Sequence, residues 1–547
     1  MNGAQWFVRT LKEIGVEQVF VLCGNGLNPF LDACLDFSVR IMDVRNEQAA
    51  SYMADTWGRF TGRLGVAAVS SGPGHTNALT GLTNSWWDGG PMLLVSGCSE
   101  LATRGKDNFQ ELDQIGMVRP VTKFASLVKS IDELPTDTLK AINTAFSGRP
   151  GPVHLTIPND VFSAEIDELN RIDTLCGVKP MGSGEPSQVA EAVGMLHAAQ
   201  RPLIVSGSGC FYSQAWNALE EFASLTSIPV FSLLWDRGCI ERCIPEYVGV
   251  VSTEVNAASE LIAEADVILT LGARVDYRLT YGMPPMVSGA ARFIRVDAEP
   301  AEVNRVRTAD VGIAGSPGRV LEQMFGESKK LQWNNGEWLS RVRQRRRENL
   351  DFWLAQTTDD TTPVPSLRLC REIKPFLERD LTFLLDGGNI GRWAHMLLFD
   401  RHPSHWFTCG ISGAIGWGIP GAVAARMARP DKPVLLLSGD GSGGFTLGDI
   451  QTAVRFGVPY VAVIAHDSAW GIVADEQPEG RTAGSKLGEI RFDRVAQALG
   501  AEGVYIENAS QIAPAIEAGL TAKVPTFIHV PTVGLGIEAY REKMARG

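Results

Sequence analysis

Short apolar runs alternate with longer amphipathic stretches along most of this chain. VEQVFVLCG, VRIMDV, GVAAVSSG, PMLLVSG and GPVHLTIP read as strands, each closing on Gly, Pro or a polar turn. Between them, residues 47–60 and 75–87 carry helical spacing. Fully apolar strands separated by helices predict a parallel sheet covered on both faces. This first unit closes near Val161 and is assigned residues 1–165. Residues 167–186 are polar and rich in Gly and Pro, and read as a linker. A second alternating unit follows in PLIVSG, IPVFSLLW, ADVILTLGA, ARFIRVDA and DVGIAG, assigned residues 186–326. Residues 329–349, with the run SRVRQRRREN, read as a solvated helix and connector. LTFLLDGG, HWFTCG, KPVLLLSGDG, PYVAVIAHD and PTFIHVP then give the strands of a third unit, residues 365–535. The predicted fold class is α/β, with three doubly wound parallel-sheet domains and no short-period repeat.

The charge balance narrows the partners. A formal net charge of −12 argues against nucleic acid or an acidic membrane surface as the main partner. No run approaches ~18 uninterrupted apolar residues, so no membrane span is expected. The opening MNGAQWFVRTLKEIG has no apolar core of a secretion signal. Of the nine cysteines, the closest pair, Cys239 and Cys243, has no His or Cys cluster beside it. Reduced thiols in a cytoplasmic protein are the expectation.

The chemistry concentrates in KPVLLLSGDGSGGFTLGDIQTAVRFGVPYVAVIAHDSAWG. An apolar strand ends in Gly439-Asp440-Gly441-Ser442, and a helix begins. Glycines at such a turn let backbone N–H groups face an anion, and the helix N-terminus favours negative charge. Asp440 offers a hard oxygen to a metal that bridges phosphates. The next strand ends in Asp467, 27 residues later. One β-α-β unit therefore brings both carboxylates to the same edge of the sheet. No GxxxxGK[ST] is present, which excludes a P-loop reading.

This stretch resembles the diphosphate-binding motif of thiamine diphosphate enzymes, in which Asn-Asn stands where this chain has His466-Asp467. The resemblance covers nearly the whole chain and is greatest to the acetolactate synthase-like group, which includes benzaldehyde lyase, oxalyl-CoA decarboxylase and 2-hydroxyacyl-CoA lyase. It implies Mg²⁺ held by Asp440, Asp467 and the Ala469 carbonyl. The three units would be pyrimidine-binding, central nucleotide-binding-like and diphosphate-binding. VRNEQAASYMADTWGRFTG is similar to the segment that carries the activating glutamate, which falls on Glu47. A carboxyl group bonded to the aminopyrimidine N1′ promotes loss of the thiazolium C2 proton. FQELDQIGMVRPVTKFA places an active-site glutamine on Gln110. CGISGAIGWGIPGA resembles the stretch that bends the cofactor, with the Gly413 carbonyl at the 4′-amino group and Ile415 as the wedge. DGGNIGRW resembles the loop that donates to the diphosphate, which implies Gly388 and Asn389 as candidate ligands beside Gly439, Gly441 and Ser442.

The resemblance also implies a small-molecule substrate and a homodimer or homotetramer, with Glu47 and Asp440 of each site on different subunits. The middle unit resembles a domain that holds FAD in acetolactate synthase and ADP in oxalyl-CoA decarboxylase, and nothing in benzaldehyde lyase. Its SGSG and GARVDYRLTYG turns are not a full GxGxxG fingerprint, so all three options stay open. Asn25, His75, Ile472 and Glu476 are candidates for the substrate pocket. Glu476 stands where acetolactate synthases carry a tryptophan, which counts against a biosynthetic acetolactate synthase. The expected activity is C–C bond formation or cleavage beside a carbonyl of a 2-keto or 2-hydroxy acyl donor. The rivals are a 2-hydroxyacyl-CoA lyase or oxalyl-CoA decarboxylase, and a non-catalytic regulatory paralogue.

Overall fold

Three parallel six-stranded sheets carry the chain. A computed structural model describes residues 1–166, 182–478 and 481–546. Most of the expected linker, residues 167–181, lies outside the described residues. The first sheet comprises β1 Gln18–Leu22, β2 Arg40–Asp43, β3 Gly65–Val69, β4 Met92–Cys98, β5 Phe124–Leu127 and β6 Pro152–Pro158. The second comprises β7 Pro202–Ser206, β8 Val230–Leu233, β9 Tyr247–Val251, β10 Val267–Leu271, β11 Arg292–Asp297 and β12 Val311–Ala314. The third comprises β13 Thr382–Asp386, β14 Trp406–Thr408, β15 Val434–Gly439, β16 Val461–His466, β17 Glu502–Tyr505 and β18 Thr526–Pro531.

The first sheet is ordered β2-β1-β3-β4-β6-β5 and the third β14-β13-β15-β16-β18-β17. These are the same topology, so two units duplicate one fold although the sequence shows no repeat. The middle sheet runs β12-β11-β10-β7-β8-β9. In each sheet the chain reverses its winding beside the first strand, and the crevice at that reversal is where open α/β sheets bind ligands. Each sheet also has one strand absent from the apolar pattern: β5, β9 and β17, all at an edge.

The first and third units share one core. The helix Glu47–Thr61 presents Ala49, Ala50 and Ala54 among buried Tyr52 and Met53, and the helix Gly418–Ala428 offers Ala422, Ala424 and Ala425 to the same cluster. Small side chains let the two backbones approach closely. Trp417 Nε1 donates to Thr56 Oγ1 at 2.8 Å across this junction. Beside it lies a buried charge cluster drawn from the first and middle units. Arg59 stands 3.3 Å from Asp55 and 3.5 Å from Asp88. Arg237, from the middle unit, donates to the Arg59 carbonyl at 2.9 Å. Two acids face two guanidinium groups, so the cluster is charge-balanced, as buried ions must be to be tolerated. Asp88 Oδ1 also accepts from the Ile411 amide at 3.2 Å, which ties the first unit to the loop before Gly413. Among the described residues no helix is long and apolar enough to cross a membrane.

Candidate active site

The switch point of the third sheet opens into a cavity of about 180 Å³. Its walls include Gly388, Asn389, Ile415, Gly439, Asp440, Gly441, Ser442, Asp467, Ala469 and Ile472. The sequence motifs therefore converge because β13, β15 and β16 are adjacent and parallel, and their C-terminal ends open on one edge. Trp470, not singled out from the sequence, lines it too, and a Cβ on Gly441 would sit 2.5 Å from its ring. Only glycine fits there.

Asp440 is buried. Its Oδ1 accepts from the Gly441 amide at 2.8 Å and its Oδ2 from the Ser468 amide at 2.7 Å. Asp467 Oδ1 accepts from the Ala469 amide at 3.2 Å. Burial pushes both carboxyls above the usual range, and the charge of Asp440 raises Asp467 further. Two half-desolvated anions beside each other are costly unless a cation lies between them. The buried Asn389 Oδ1 adds another acceptor without a partner. An acceptor-rich pocket under a glycine-lined turn fits a divalent ion and the diphosphate it would carry.

Ser442 plays a part not visible in the motif. Its hydroxyl donates to Asp386 Oδ2 at 2.7 Å and accepts from the Gly416 amide at 2.8 Å. Asp386 Oδ2 also accepts from the Gly418 amide at 2.7 Å, and Thr446 Oγ1 donates to the Gly416 carbonyl at 2.9 Å. Burial lifts the Asp386 carboxyl to about 6. Asp386, Ser442 and Thr446 thus brace the loop that presents Ile415. Gly413 in that loop has φ +69°, a conformation that favours glycine, and it does not line the cavity. Asp386 lies in the DGGNIGRW motif, but its partners are 32 and 56 residues away, beyond any local signal.

The first-unit candidates gather on their own sheet edge, after β1, β2 and β3. Asn46 caps the helix Glu47–Thr61 by accepting from the Gln48 amide at 2.8 Å. Glu47, on the first turn, accepts from Asn77 Nδ2 at 3.1 Å. Asn25 Nδ2 donates to Ser71 Oγ at 3.0 Å, and Ser71 Oγ donates to Gln110 Oε1 at 3.2 Å. Gln110 has φ +59°, a strained backbone for a residue with a side chain. None of Glu47, Gln110 and Asn25 lines the third-unit cavity, whose walls all lie between Ser366 and Thr532. Within the chain, Tyr52 Oη on the Glu47 helix reaches the cavity wall, donating to the Ile415 carbonyl at 3.0 Å.

Two pocket candidates lie elsewhere. His75 is fully enclosed, with Nδ1 2.8 Å from Ser96 Oγ, and burial lowers its pKa to about 4. Its place in the helix Pro73–Asp88 turns it into the core rather than toward a pocket wall. Glu476 ends the short helix Gly471–Glu476 exposed and outside the cavity, while Ile472 on the same helix faces in. In the middle unit the two glycine turns pack on each other: the Gly209 amide donates to the Gly272 carbonyl at 2.9 Å. A Cβ on Gly209 would come within 2.5 Å of the Gly272 Cα.

Comparison with known proteins accounts for this arrangement along the whole chain. Residues 1–117 match the family profile "Thiamine pyrophosphate enzyme, N-terminal TPP binding domain". Residues 189–324 match the corresponding central domain, and residues 386–530 the C-terminal TPP binding domain. The acetolactate synthase isozyme 2 large subunit of Escherichia coli strain K12 is 32% identical over 97% of this chain and 95% of its own length. The acetolactate synthase large subunits of Haemophilus influenzae and Lactococcus lactis subsp. lactis are 29% and 28% identical, over 96% and 97% of this chain and 93% and 92% of their own lengths. With all three domains matched and a relative of this identity over nearly its full length, the chain belongs to the thiamine diphosphate-dependent enzymes of the acetolactate synthase-like family.

Proposed function

We propose that this acetolactate synthase-like carboligase joins a 2-keto acid donor, after loss of CO₂, to a second carbonyl compound, using Mg²⁺ to hold the cofactor. The observation that carries the metal assignment is the pair of buried Asp440 and half-buried Asp467 at the ends of two adjacent strands, with Ser468 and Gly441 amides fixing Asp440. Asp440, Asp467 and the Ala469 carbonyl would supply hard oxygen ligands, and phosphate oxygens and water would complete the shell. Backbone amides at Gly388, Asn389 and Gly439–Ser442 would receive the diphosphate. Bound there, thiamine diphosphate supplies the electron sink for a carbanion next to a carbonyl.

The chain's own groups have separate tasks. Glu47 would hold and return the proton at the aminopyrimidine N1′, Ile415 would fix the ring orientation from below, and Gln110 and Asn25 would orient the bound acid. Because every wall of the cavity comes from the third unit, Glu47, Gln110 and Asn25 would reach it from a second copy of the chain. The enzyme is therefore proposed as at least a homodimer, in the cytoplasm, with domains at 1–165, 186–326 and 365–535. In the middle unit, Arg274 Nε is buried without a partner and Asp297 ends β11. Such groups could contact FAD or ADP, and a flavin absorbance spectrum or nucleotide release on denaturation decides among FAD, ADP and neither.

The test is a donor panel read by product mass. Purified enzyme with Mg²⁺ and thiamine diphosphate receives 2-keto acids in one arm and 2-hydroxyacyl or oxalyl thioesters in the other. Acetolactate or a homologous 2-hydroxy-3-keto acid from the first arm supports the proposal. Turnover confined to thioesters replaces it with the lyase or decarboxylase reading.

A further inference from the structure

We propose that Ser412, oriented by Asn84, is the positioning residue that sets the direction of the Gly413 carbonyl toward the cofactor's 4′-amino group. The inference rests on the reading of that carbonyl as the 4′-amino contact. It gives a role to a serine of the third unit and a buried asparagine of the first, neither of which lines the cavity.

The loop between β14 and the helix Gly418–Ala428 needs restraint from outside. Gly410, Gly413 and Gly416 have φ of +107°, +69° and +82°, and a glycine-rich segment is costly in entropy to order. A Cβ on Gly413 would meet nothing within 4 Å, so packing does not fix this residue. The loop is anchored on both sides of it. Before it, Arg59 Nη2 donates to the Thr408 carbonyl at 3.0 Å, and the Ile411 amide donates to Asp88 Oδ1 at 3.2 Å. After it, Tyr52 holds the Ile415 carbonyl and Ser442 the Gly416 amide. Between these anchors the Gly413 amide makes a long 3.5 Å contact with the Gly410 carbonyl.

Ser412 closes this gap. Its Oγ accepts from the Ala414 amide at 3.3 Å, a side-chain turn that spans Gly413. The Ala414 N–H and the Gly413 C=O belong to one planar trans peptide and point in opposite directions. A bond that fixes the first therefore fixes the second. The Ser412 hydroxyl donates its proton to Asn84 Oδ1 at 2.5 Å, which leaves a lone pair for Ala414. Asn84 is fully buried on the helix Pro73–Asp88. Its Nδ2 donates to Asp55 Oδ2 at 2.9 Å, and Asp55 is paired with Arg59 at 3.3 Å. With the nitrogen committed to a carboxylate, the oxygen of the same amide faces Ser412. Direction thus passes from the buried charge cluster through Asn84 and Ser412 to the peptide that carries the Gly413 carbonyl.

The experiment uses the full-length chain with Ser412→Ala, Ser412→Thr and Asn84→Ser. The first arm measures hydrogen exchange of the Ala414 amide in the cofactor-free protein, resolved by fragmentation mass spectrometry. Ser412→Ala should exchange about 10- to 100-fold faster, and Ser412→Thr, which keeps the hydroxyl, should stay within a few-fold of wild type. Asn84→Ser cannot reach Ser412 and should also exchange faster. Unchanged exchange in Ser412→Ala overturns the proposal, and unchanged exchange in a folded Asn84→Ser overturns the part given to Asn84. The Ser412 arms stand whether or not Asn84→Ser folds, because Ser412 is only half-buried. The second arm compares binding of thiamine diphosphate and of its analogue without the 4′-amino group, by calorimetry with Mg²⁺ present. Wild type should prefer thiamine diphosphate by about 10-fold, and Ser412→Ala should lose that preference to within a few-fold. Equal losses of both ligands in Ser412→Ala show a merely structural role and overturn the proposal. No preference in wild type removes the reading of the Gly413 carbonyl itself, and the exchange arm then reports separately whether Ser412 holds the peptide.

Discussion

Replacing Ser442 by alanine should loosen the loop that presents Ile415 without touching the metal ligands. The Ser442 hydroxyl makes two buried bonds, one donated to the Asp386 carboxylate at 2.7 Å and one accepted from the Gly416 amide at 2.8 Å. A hydrogen bond to a charged group is worth about 1.5–3 kcal/mol, and a buried amide left without an acceptor costs about 1–3 kcal/mol. Together the local cost is about 3–6 kcal/mol before relaxation. Thr446 still holds the Gly416 carbonyl, so the loop opens locally rather than losing its fold. Hydrogen exchange with mass-spectrometric readout of a peptide covering residues 410–418 measures this directly. A cost of about 3 kcal/mol corresponds to more than ~100-fold faster exchange of the Gly416 amide. Thiamine diphosphate affinity should fall with it, because the bound state must reorder the loop. Unchanged exchange together with unchanged affinity would refute the bracing role.

Three further outcomes are expected. Glu47→Gln should fold and bind thiamine diphosphate, yet exchange the cofactor C2 proton about 10²–10⁴-fold more slowly, as read by NMR after acid quench; equal rates would remove Glu47 as the activator. Light scattering should find no fully active monomer, since the cavity contains no first-unit residue. In the cofactor-free protein Asp386 is raised from its ordinary value to about 6, so its ionised form destabilises the fold above that pH. Between about pH 4 and 6 the folded chain binds the proton and the unfolded chain does not. Relative to Asp386→Asn, wild type should therefore gain stability as pH falls from about 6 toward 4, by up to about 3 kcal/mol. A pH-independent difference in calorimetric unfolding would contradict the assignment.

The sequence by itself determined the elements that are buried on both faces and the chemistry that lies within one β-α-β unit. β1, β3, β4, β7, β10, β15 and β16 are short apolar runs because helices cover both sides of each sheet. Asp440 and Asp467 could be placed on one edge because a single strand, helix and strand separate them, and that local geometry admits one outcome. The edge strands escaped. β5 and β17 are only partly buried, so they lack the continuous apolar run. β9 is buried but interrupted by Gly249 at φ +94°.

The tertiary structure alone decided what depends on contacts between distant segments. Asp386 with Ser442, Tyr52 with Ile415, and Asn84 with Ser412 are pairs that no periodicity connects. It also showed that the first and third units repeat one topology, because strand order survives when side chains no longer match. His75 and Glu476 illustrate the same limit from the other side. Their neighbours in sequence flank the site, but the helical turn on which each sits directs one into the core and the other to solvent. A motif specifies which residues are near; only the packed backbone specifies which way each one faces.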